Sequence, residues 1–382
     1  MITAPHKSRL LVLLCGLCLA MLGGAFSFAA CEVQPDAPNA DRQQVLRDLV
    51  NNVIVPSYND VTSSTATLVD AIRALRAAPS VDTLASAQTA YRAARAQYKT
   101  TEAYRLGPAD DLAITGEAID TWPADSTKLE ALLAGTGPLD VVEVGKLGSN
   151  QRGLPALEYL LFDSAVSDAE VLSRFTQPGS GARRAELAES VASDLTIVCK
   201  RVSDALGGPT GYGHQLAEAG VGSSLYAAQS EGVDKVVTAL VYLSELVVLK
   251  KLSKPLGVDM NNVVQPAQEE GPRSDSSLRD LQNNLAGIQA IYSGERGALT
   301  GQGLGSAVRT INPGAATRFE AALQATVAAL NAVPPPLRSA LTQNRPAVEA
   351  AYQAFRALKS SLVTDVAGAL GASIGFGFSD TD

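Results

Sequence analysis

The spacing of apolar residues constrains this fold most strongly, because along much of the chain it follows the period of an α-helix. Between residues 187 and 206 they recur at steps of four and three, as Leu187, Val191, Leu195, Val198, Val202 and Leu206. The same spacing runs from Leu278 to Ile291, and a longer apolar helix is predicted from about 233 to 252. Alternation with a period of two is nearly absent, so strands are not expected as a framework. The pattern predicts an all-α fold.

Helix-breaking proline and glycine residues divide the remaining helical segments. These helices are predicted at 42–54, 60–77, 82–105, 315–332 and 344–370. Pro56 is expected to kink the first of them, since proline removes a helical hydrogen bond. Gly-Pro and Pro-Pro pairs mark the later connections.

The helices are predicted to form two tandem bundles. Residues 31–206 form the first half, 207–230 a glycine-rich connection, and 231–382 the second half. Residues 91–96 (YRAARA) resemble 352–357 (YQAFRA), which suggests an internal duplication, although six positions in Ala-rich helices can match by chance.

Composition excludes some classes of function. Of the 382 residues, 46% are hydrophobic and only 5% aromatic, so aliphatic side chains must fill the core. The net charge is −8 and no basic stripe appears, which argues against nucleic acid as a partner. The chain is expected to be a folded acidic protein.

Residues 1–30 have the pattern of an export signal, with Lys7 and Arg9 followed by an apolar run. The run ends in Phe28-Ala29-Ala30-Cys31, which looks like a bacterial lipoprotein cleavage box and predicts lipidation of Cys31. Two alternatives remain: an uncleaved membrane anchor, and ordinary cleavage after Ala29. The favoured interpretation is a periplasmic protein that is lipid-anchored to the outer membrane.

Few residues carry recognisable chemistry. His214 is the one histidine after residue 30, which excludes multi-histidine zinc sites and catalysis by two imidazoles. His214 and Glu218 could share a helical face as two ligands, but a solvent-exposed histidine in the glycine-rich connection is favoured. Cys199 falls in an apolar helical pattern and is predicted to be a buried hydrophobe.

Several segments, taken in order, resemble the imelysin family. They are TEAYRLGPADD (101–111) leading into IDTWPAD (119–125), QRGLPALEYLLF (151–162), KPLG (254–257), PRS (272–274) and LGASIGFGFSD (370–380). The resemblance spans nearly all of the chain after the export signal. It implies a helical exported protein of a family that includes iron-regulated lipoproteins and is sometimes classed with metallopeptidases.

The family signature is altered in this sequence. The family pattern is Gly-x-His-x-x-Glu, in which His and Glu three residues apart could hold a metal together. Here Gly153 and Glu158 are present, but Pro155 stands at the histidine position and has no free lone pair. Pro155 suits a helix entry instead, and Glu158 would then lie near a helix N-terminus that favours a carboxylate.

The resemblance implies one polar cleft built from separated segments. Its candidate ligand-binding residues are Glu102, Arg105, Arg152, Gly153, Pro155, Glu158, Arg273 and Asp380. Glu102 and Glu158 are the candidate metal ligands, because carboxylates suit a hard cation such as Fe(III). The alternative for each charged member is an ion pair that merely joins the two bundles.

Three functions remain open. The leading hypothesis is a binding protein in iron acquisition, for which iron, or a ligand containing it, is the implied cofactor and an envelope transport protein the implied partner. The second is a metal-dependent peptidase of the imelysin type, which Pro155 makes doubtful. The third is an envelope protein that presents helical surfaces to a partner.

Overall fold

The computed structural model describes residues 41–375, and most of that range is helical. No strand occurs among these residues, apart from one isolated bridge between Arg296 and Leu299. The all-α prediction is confirmed. Cys31 and Asp380 lie outside the described residues.

The α-helices were found near the positions that the apolar spacing predicts. They are α1 (Arg42–Asp48), α2 (Val55–Ala77), α3 (Val81–Thr101), α4 (Leu112–Thr115), α5 (Ser126–Ala134), α6 (Val141–Val144), α7 (Gly153–Leu161), α8 (Asp168–Thr176), α9 (Ser180–Leu206), α10 (Tyr212–Ala217), α11 (Gln229–Leu246), α12 (Ser253–Leu256), α13 (Ser277–Ser293), α14 (Leu304–Ile311), α15 (Pro313–Asn331), α16 (Leu337–Gln343), α17 (Arg345–Ser361) and α18 (Gly368–Leu370). Three π-helical segments (Leu49–Ile54, Val247–Leu252 and Leu362–Ala367) and short 3₁₀ turns, such as Glu102–Tyr104, link some of them.

The helix around Pro56 is continuous, and a π-helical segment stands just before the proline where a kink was expected. α1 runs into α2 through the π-helical segment Leu49–Ile54, in which the Val55 N–H donates to the Val50 carbonyl five residues back. Proline has no N–H and its ring crowds the carbonyl four residues earlier, so a wider turn just before it accommodates both effects. The proline changes the helical hydrogen bonding without ending the helix.

The described chain belongs to one compact unit that contains two apolar cores. One core is built from residues between Val61 and Cys199. The other combines residues 45–58 and 103–109 with residues 202–370. The long helices α2 and α9 each contribute to both cores.

Helices α3 and α13 cross closely, and this crossing positions the polar residues described below. A Cβ added to Gly287 would lie 2.2 Å from the Thr100 carbonyl oxygen, so only glycine fits at the contact. One turn earlier on α13, the Asn284 side chain donates to the Lys99 carbonyl at 2.7 Å. The end of α3 is therefore fixed against the second core.

The two similar segments lie in different environments. Tyr91 and Arg95 in the first are fully buried, whereas their counterparts Tyr352 and Arg356 are half-buried and exposed. The internal duplication and the domain boundaries stay predictions. Cys199 is buried as predicted, and no described helix is long and apolar enough to cross a membrane.

Candidate functional site

The centre of the molecule holds charged side chains on the buried face of α3 and of the 3₁₀ turn, Glu102–Tyr104, that follows it. Arg95, Lys99 and Glu102 are 1%, 0% and 7% exposed, and they follow Tyr91 at steps of four, four and three. This spacing places all four residues on one helical stripe. Buried charges need partners, because removing an ion from water is expensive.

Lys99 is the hub of the cluster. Its Nζ lies 3.1 Å from Glu102 Oε1 and 2.6 Å from Glu270 Oε1, and it also contacts the Asp120 carboxylate. These three carboxylates have oxygens within 4.8 Å of one another, a spacing that suits a metal ion. The ammonium group bonds to all three, so the chain supplies its own cation at this point.

Glu102 is held by further donors from the second half of the chain. Lys251, in the π-helical segment Val247–Leu252, donates to Glu102 Oε2 at 2.6 Å, and Asn284 donates to the same oxygen at 2.7 Å. Burial alone would raise the pKa of Glu102, but Lys251 and Lys99 outweigh it and hold that pKa well below its usual range. Glu102 is therefore an ionised carboxylate whose oxygens both have partners.

Arg95 extends the cluster toward α13. Its guanidinium donates to both carboxylate oxygens of Asp280, with Nε 2.9 Å from Oδ2, and it also faces Asp120. Burial raises the pKa of Asp280 to about 6, although Arg95 acts in the opposite direction. The cluster thus contains three basic groups (Arg95, Lys99 and Lys251) and four carboxyl groups (Glu102, Asp120, Glu270 and Asp280).

Gly153 and Pro155 of the altered signature are structural. Gly153 has φ +65°, and an added Cβ would lie 2.2 Å from the Ala118 carbonyl oxygen, so this position requires glycine. α7 begins here as predicted, and Pro155 is its third residue, within the first turn where a missing N–H leaves no helical bond unmade. Both residues shape the entry to α7.

The Glu158 side chain accepts hydrogen bonds from the loop at residues 273–274, and Glu158 does not lie at the start of its helix. Its Oε1 accepts hydrogen bonds from the backbone N–H groups of Arg273 (3.2 Å) and Ser274 (2.9 Å) and from the Ser274 hydroxyl. The interpretation of Glu158 as a partner of the helix dipole is wrong, because the residue lies in the second turn of α7 and satisfies the 273–274 loop instead.

The other predicted residues lie in separate places. Arg152 forms a two-point ion pair with Asp194 of α9, at 2.9 and 2.7 Å. The Arg273 side chain stacks over the Tyr159 ring at 4.7 Å. The structure therefore brings Glu158 to the Arg273 backbone, whereas Arg152 has a different partner.

Glu102 and Arg105 line one cavity of about 590 Å³. Tyr212, Tyr226 and residues 373–375 are also part of its wall. Arg105 donates to Asp110 at 3.1 Å, while its buried Nε has no hydrogen-bond partner among the described residues. This volume is typical of a small-molecule site, and a guanidinium with an unused donor favours an anionic group.

Sequence reasoning missed most of the buried cluster. Lys99, Lys251 and Asn284, which bond to Glu102, were absent from the candidate residues. Asp120 and Glu270, which pair with these lysines, were absent as well. The available signal was local: Arg95 and Lys99 continue the step of four from Tyr91 on the buried stripe. Their partners from the second half have no such local signal. Lys251 is 149 residues away from Glu102 in the sequence, and Glu270 is 171 residues away from Lys99.

Comparison with known proteins gives the family. The family model described as Peptidase_M75: Imelysin matches residues 54–362. The chain belongs to the imelysin family. A curated relative, iron-regulated protein A of Synechococcus elongatus, is 28% identical over 356 residues, which cover 91% of each chain. This imelysin-family chain is thus similar to a protein named for regulation by iron.

Solved structures support the fold. An iron-regulated protein A precursor from Parabacteroides distasonis superposes with a TM-score of 0.73 at 22% identity, covering 87% of this chain and 95% of the other. An imelysin-like protein from Psychrobacter arcticum gives a TM-score of 0.69 at 16% identity, covering 88% and 97%. At these identities the likeness establishes the imelysin-like fold alone.

Proposed function

We propose that this protein is an exported, lipid-anchored binding protein that takes up an iron species in the cavity at Glu102 and Arg105. The cavity is the observation that carries the proposal, because it combines a ligand-sized volume with the unused Nε donor of Arg105. The name of the Synechococcus elongatus relative, iron-regulated protein A, supports iron as the element concerned. An iron chelate with carboxylate groups fits both features.

Two arrangements weigh against a peptidase that uses the family signature. Pro155 offers no ligand at the histidine position, and the Glu158 carboxylate is engaged by the 273–274 loop. The nearby carboxylate set of Glu102, Asp120 and Glu270 has Lys99 in its midst. Neither arrangement leaves an open coordination position of the kind a catalytic metal needs.

Export and lipidation rest on the sequence of residues 1–31, which lies outside the described residues. The basic start, the apolar run and Cys31 support a lipoprotein of the outer membrane facing the periplasm. Mass analysis of the native N-terminus, compared with a Cys31→Ser variant, tests this part. An unacylated native N-terminus would refute lipid anchoring.

The binding function is tested by calorimetric titration of the purified protein with Fe(III)-citrate. Arg105→Gln should weaken binding roughly 10- to 100-fold, since a charged hydrogen bond is lost. Arg201→Gln on the exposed face of α9 is the matched control and should bind like the wild type. Deletion of the gene should also lower cellular iron and growth in iron-poor medium.

Three results would overturn the proposal. One is that no iron species binds to folded protein and deletion leaves growth and cellular iron unchanged. Another is equal binding by Arg105→Gln and wild type, which would move the ligand away from this cavity. The third is cleavage of unfolded substrate that Glu158→Ala abolishes, which would favour the peptidase.

A further inference from the structure

A pair of tyrosines in the wall of the same cavity is not explained by the functions considered above. The hydroxyl oxygens of Tyr212 and Tyr226 lie 2.5 Å apart, and the two rings meet edge to face with centroids separated by 6.2 Å. Tyr226 is buried and Tyr212 half-buried. Two phenol oxygens therefore lie side by side, on residues that both line a ligand-sized cavity.

The local sequence positions both rings. Gly107 has φ +49°, and an added Cβ would lie 2.5 Å from Tyr212 ring carbons, so the ring packs directly on this glycine. Tyr226 is fixed by its backbone: its N–H donates to the Ser223 hydroxyl at 3.1 Å and its carbonyl accepts from Gly220 N–H at 3.0 Å. The glycine-rich connection is thus folded around the pair.

Carboxylates flank the two hydroxyls. The negative charge of Asp110 acts on Tyr212 and that of Glu231 acts on Tyr226. Glu231 is held by the Ala227 N–H at 2.7 Å. Around the whole cavity the acidic side chains (Glu102, Asp110, Glu231 and Asp234) outnumber the basic ones (Arg105 and Lys235). The arrangement favours a cation with a preference for oxygen ligands.

The separation of the hydroxyls fits neighbouring ligands of one metal ion. Two adjacent oxygens of an octahedral site with bonds of about 2.0 Å stand about 2.8 Å apart, so little movement is needed. Tyrosine is an established oxygen ligand of iron in proteins. Zinc and calcium sites, in contrast, use His, Cys, carboxylate and carbonyl groups.

We infer that Tyr212 and Tyr226 bind ferric iron directly in this cavity, with the Asp110 or Glu231 carboxylate and oxygens of the chelator completing its coordination. This inference rests on the proposed function. Each phenol loses its proton to solvent or to the chelator as the Fe–O bond forms, and iron stays Fe(III), so no electron donor is required. Arg105 then holds the anionic chelator beside the metal.

A visible absorption band tests the inference, because a phenolate bound to Fe(III) gives a charge-transfer band that ferric citrate bound without tyrosine does not. Purified full-length protein is titrated with Fe(III)-citrate and followed by both calorimetry and visible absorption. Wild type should develop the band in proportion to bound iron. Tyr212→Phe and Tyr226→Phe should each reduce it, and the double variant should lose it and bind on the order of 100-fold more weakly.

Tyr352→Phe is the matched control, because Tyr352 is half-buried and lines a different cavity. It should keep the band and the affinity. All variants retain the aromatic ring, and circular dichroism checks that they are folded. A band that survives in the double variant, or iron binding by wild type without a band, overturns the inference and leaves the proposed function standing. Absence of iron binding by folded wild type overturns both.

Discussion

Replacing Lys99 with methionine tests whether the central cluster depends on an internal cation. Lys99 is fully buried and its Nζ contacts Glu102, Asp120 and Glu270. Methionine has a similar length but no charge, so the three carboxylates would remain together with fewer positive charges. Counting ionised groups, the cluster changes from a net charge of −1 to −2.

The expected loss of stability is large. Breaking a buried ion pair by removing one partner destabilises a protein by about 3–5 kcal/mol, because the remaining charge is left unpaired. Lys99 has three such partners, which places Lys99→Met at the upper end, about 5 kcal/mol at pH 8. Lys146 is the matched control for the loss of an ion pair. It pairs with Glu143 at 2.6 Å, but both side chains are exposed. Lys146→Met should lose less than about 1 kcal/mol.

The loss should also depend on pH. Without the ammonium, burial and mutual repulsion raise the folded-state pKa values of these carboxyls above those of the unfolded chain. The folded variant then binds protons more tightly, so its stability rises as pH falls toward 5. The difference from wild type should shrink by at least about 1.4 kcal/mol between pH 8 and 5, which corresponds to one pKa unit.

Urea denaturation followed by circular dichroism at pH 5, 6, 7 and 8 measures these differences. The double variant Lys99→Met/Glu102→Gln should be more stable than the sum of its single variants, since the neutral amide removes one unpaired charge. A loss no larger than that of Lys146→Met, or one that is the same at every pH, would refute an internal cation at Lys99.

Two further predictions concern the same region. Because burial raises the folded-state pKa of Asp280 to about 6, above about 3.9 in an unfolded chain, stability should rise as pH falls from 7 toward 5. In urea denaturation, the free energy of unfolding of Asp280→Asn should lack this rise at low pH. The same dependence on pH in Asp280→Asn and wild type would contradict the prediction. Gly153→Ala should destabilise by about 3 kcal/mol or more, whereas Gly116→Ala, with φ +55° and no atom near its added Cβ, should lose only about 1 kcal/mol. Similar thermal unfolding of the two variants would show that the close approach at Gly153 is unimportant.

Periodicity predicted the helices well because it reports a local property. The stripe from Leu187 to Leu206 lies within α9, and the stripe from Leu278 lies within α13. The exception at Pro56 also has a local cause, since a π-helical segment before the proline allows the helix to continue. Which helices pack together could not be read from the spacing, because packing joins residues far apart in sequence.

The candidate site was only partly predictable for the same reason. Glu102 and Glu158 were recognised as important, but their partners come from the second half of the chain: Lys251 and Asn284 for Glu102, Ser274 for Glu158. A polar residue on an apolar helical stripe can be predicted to be buried, but the stripe does not indicate which residue will be its partner. Tyr212 and Tyr226 were missed because they lie in a glycine-rich segment that composition alone presents as a spacer.

The charge pattern indicates where an external cation can bind. At the signature, Pro155 removes a ligand and the loop at Ser274 satisfies Glu158. Among Glu102, Asp120 and Glu270, the position suited to a metal already has a covalently attached ammonium group. An ion entering there must separate the buried Lys99 ammonium from its carboxylate partners, which is strongly unfavourable. Among the described residues, the hydroxyls of Tyr212 and Tyr226 bond only to each other, so Fe(III) bound there, as we propose, would displace protons instead of a buried lysine. If iron binds at the tyrosine pair as proposed, folded Lys99→Met should retain iron binding, and its loss in folded protein would contradict the proposal.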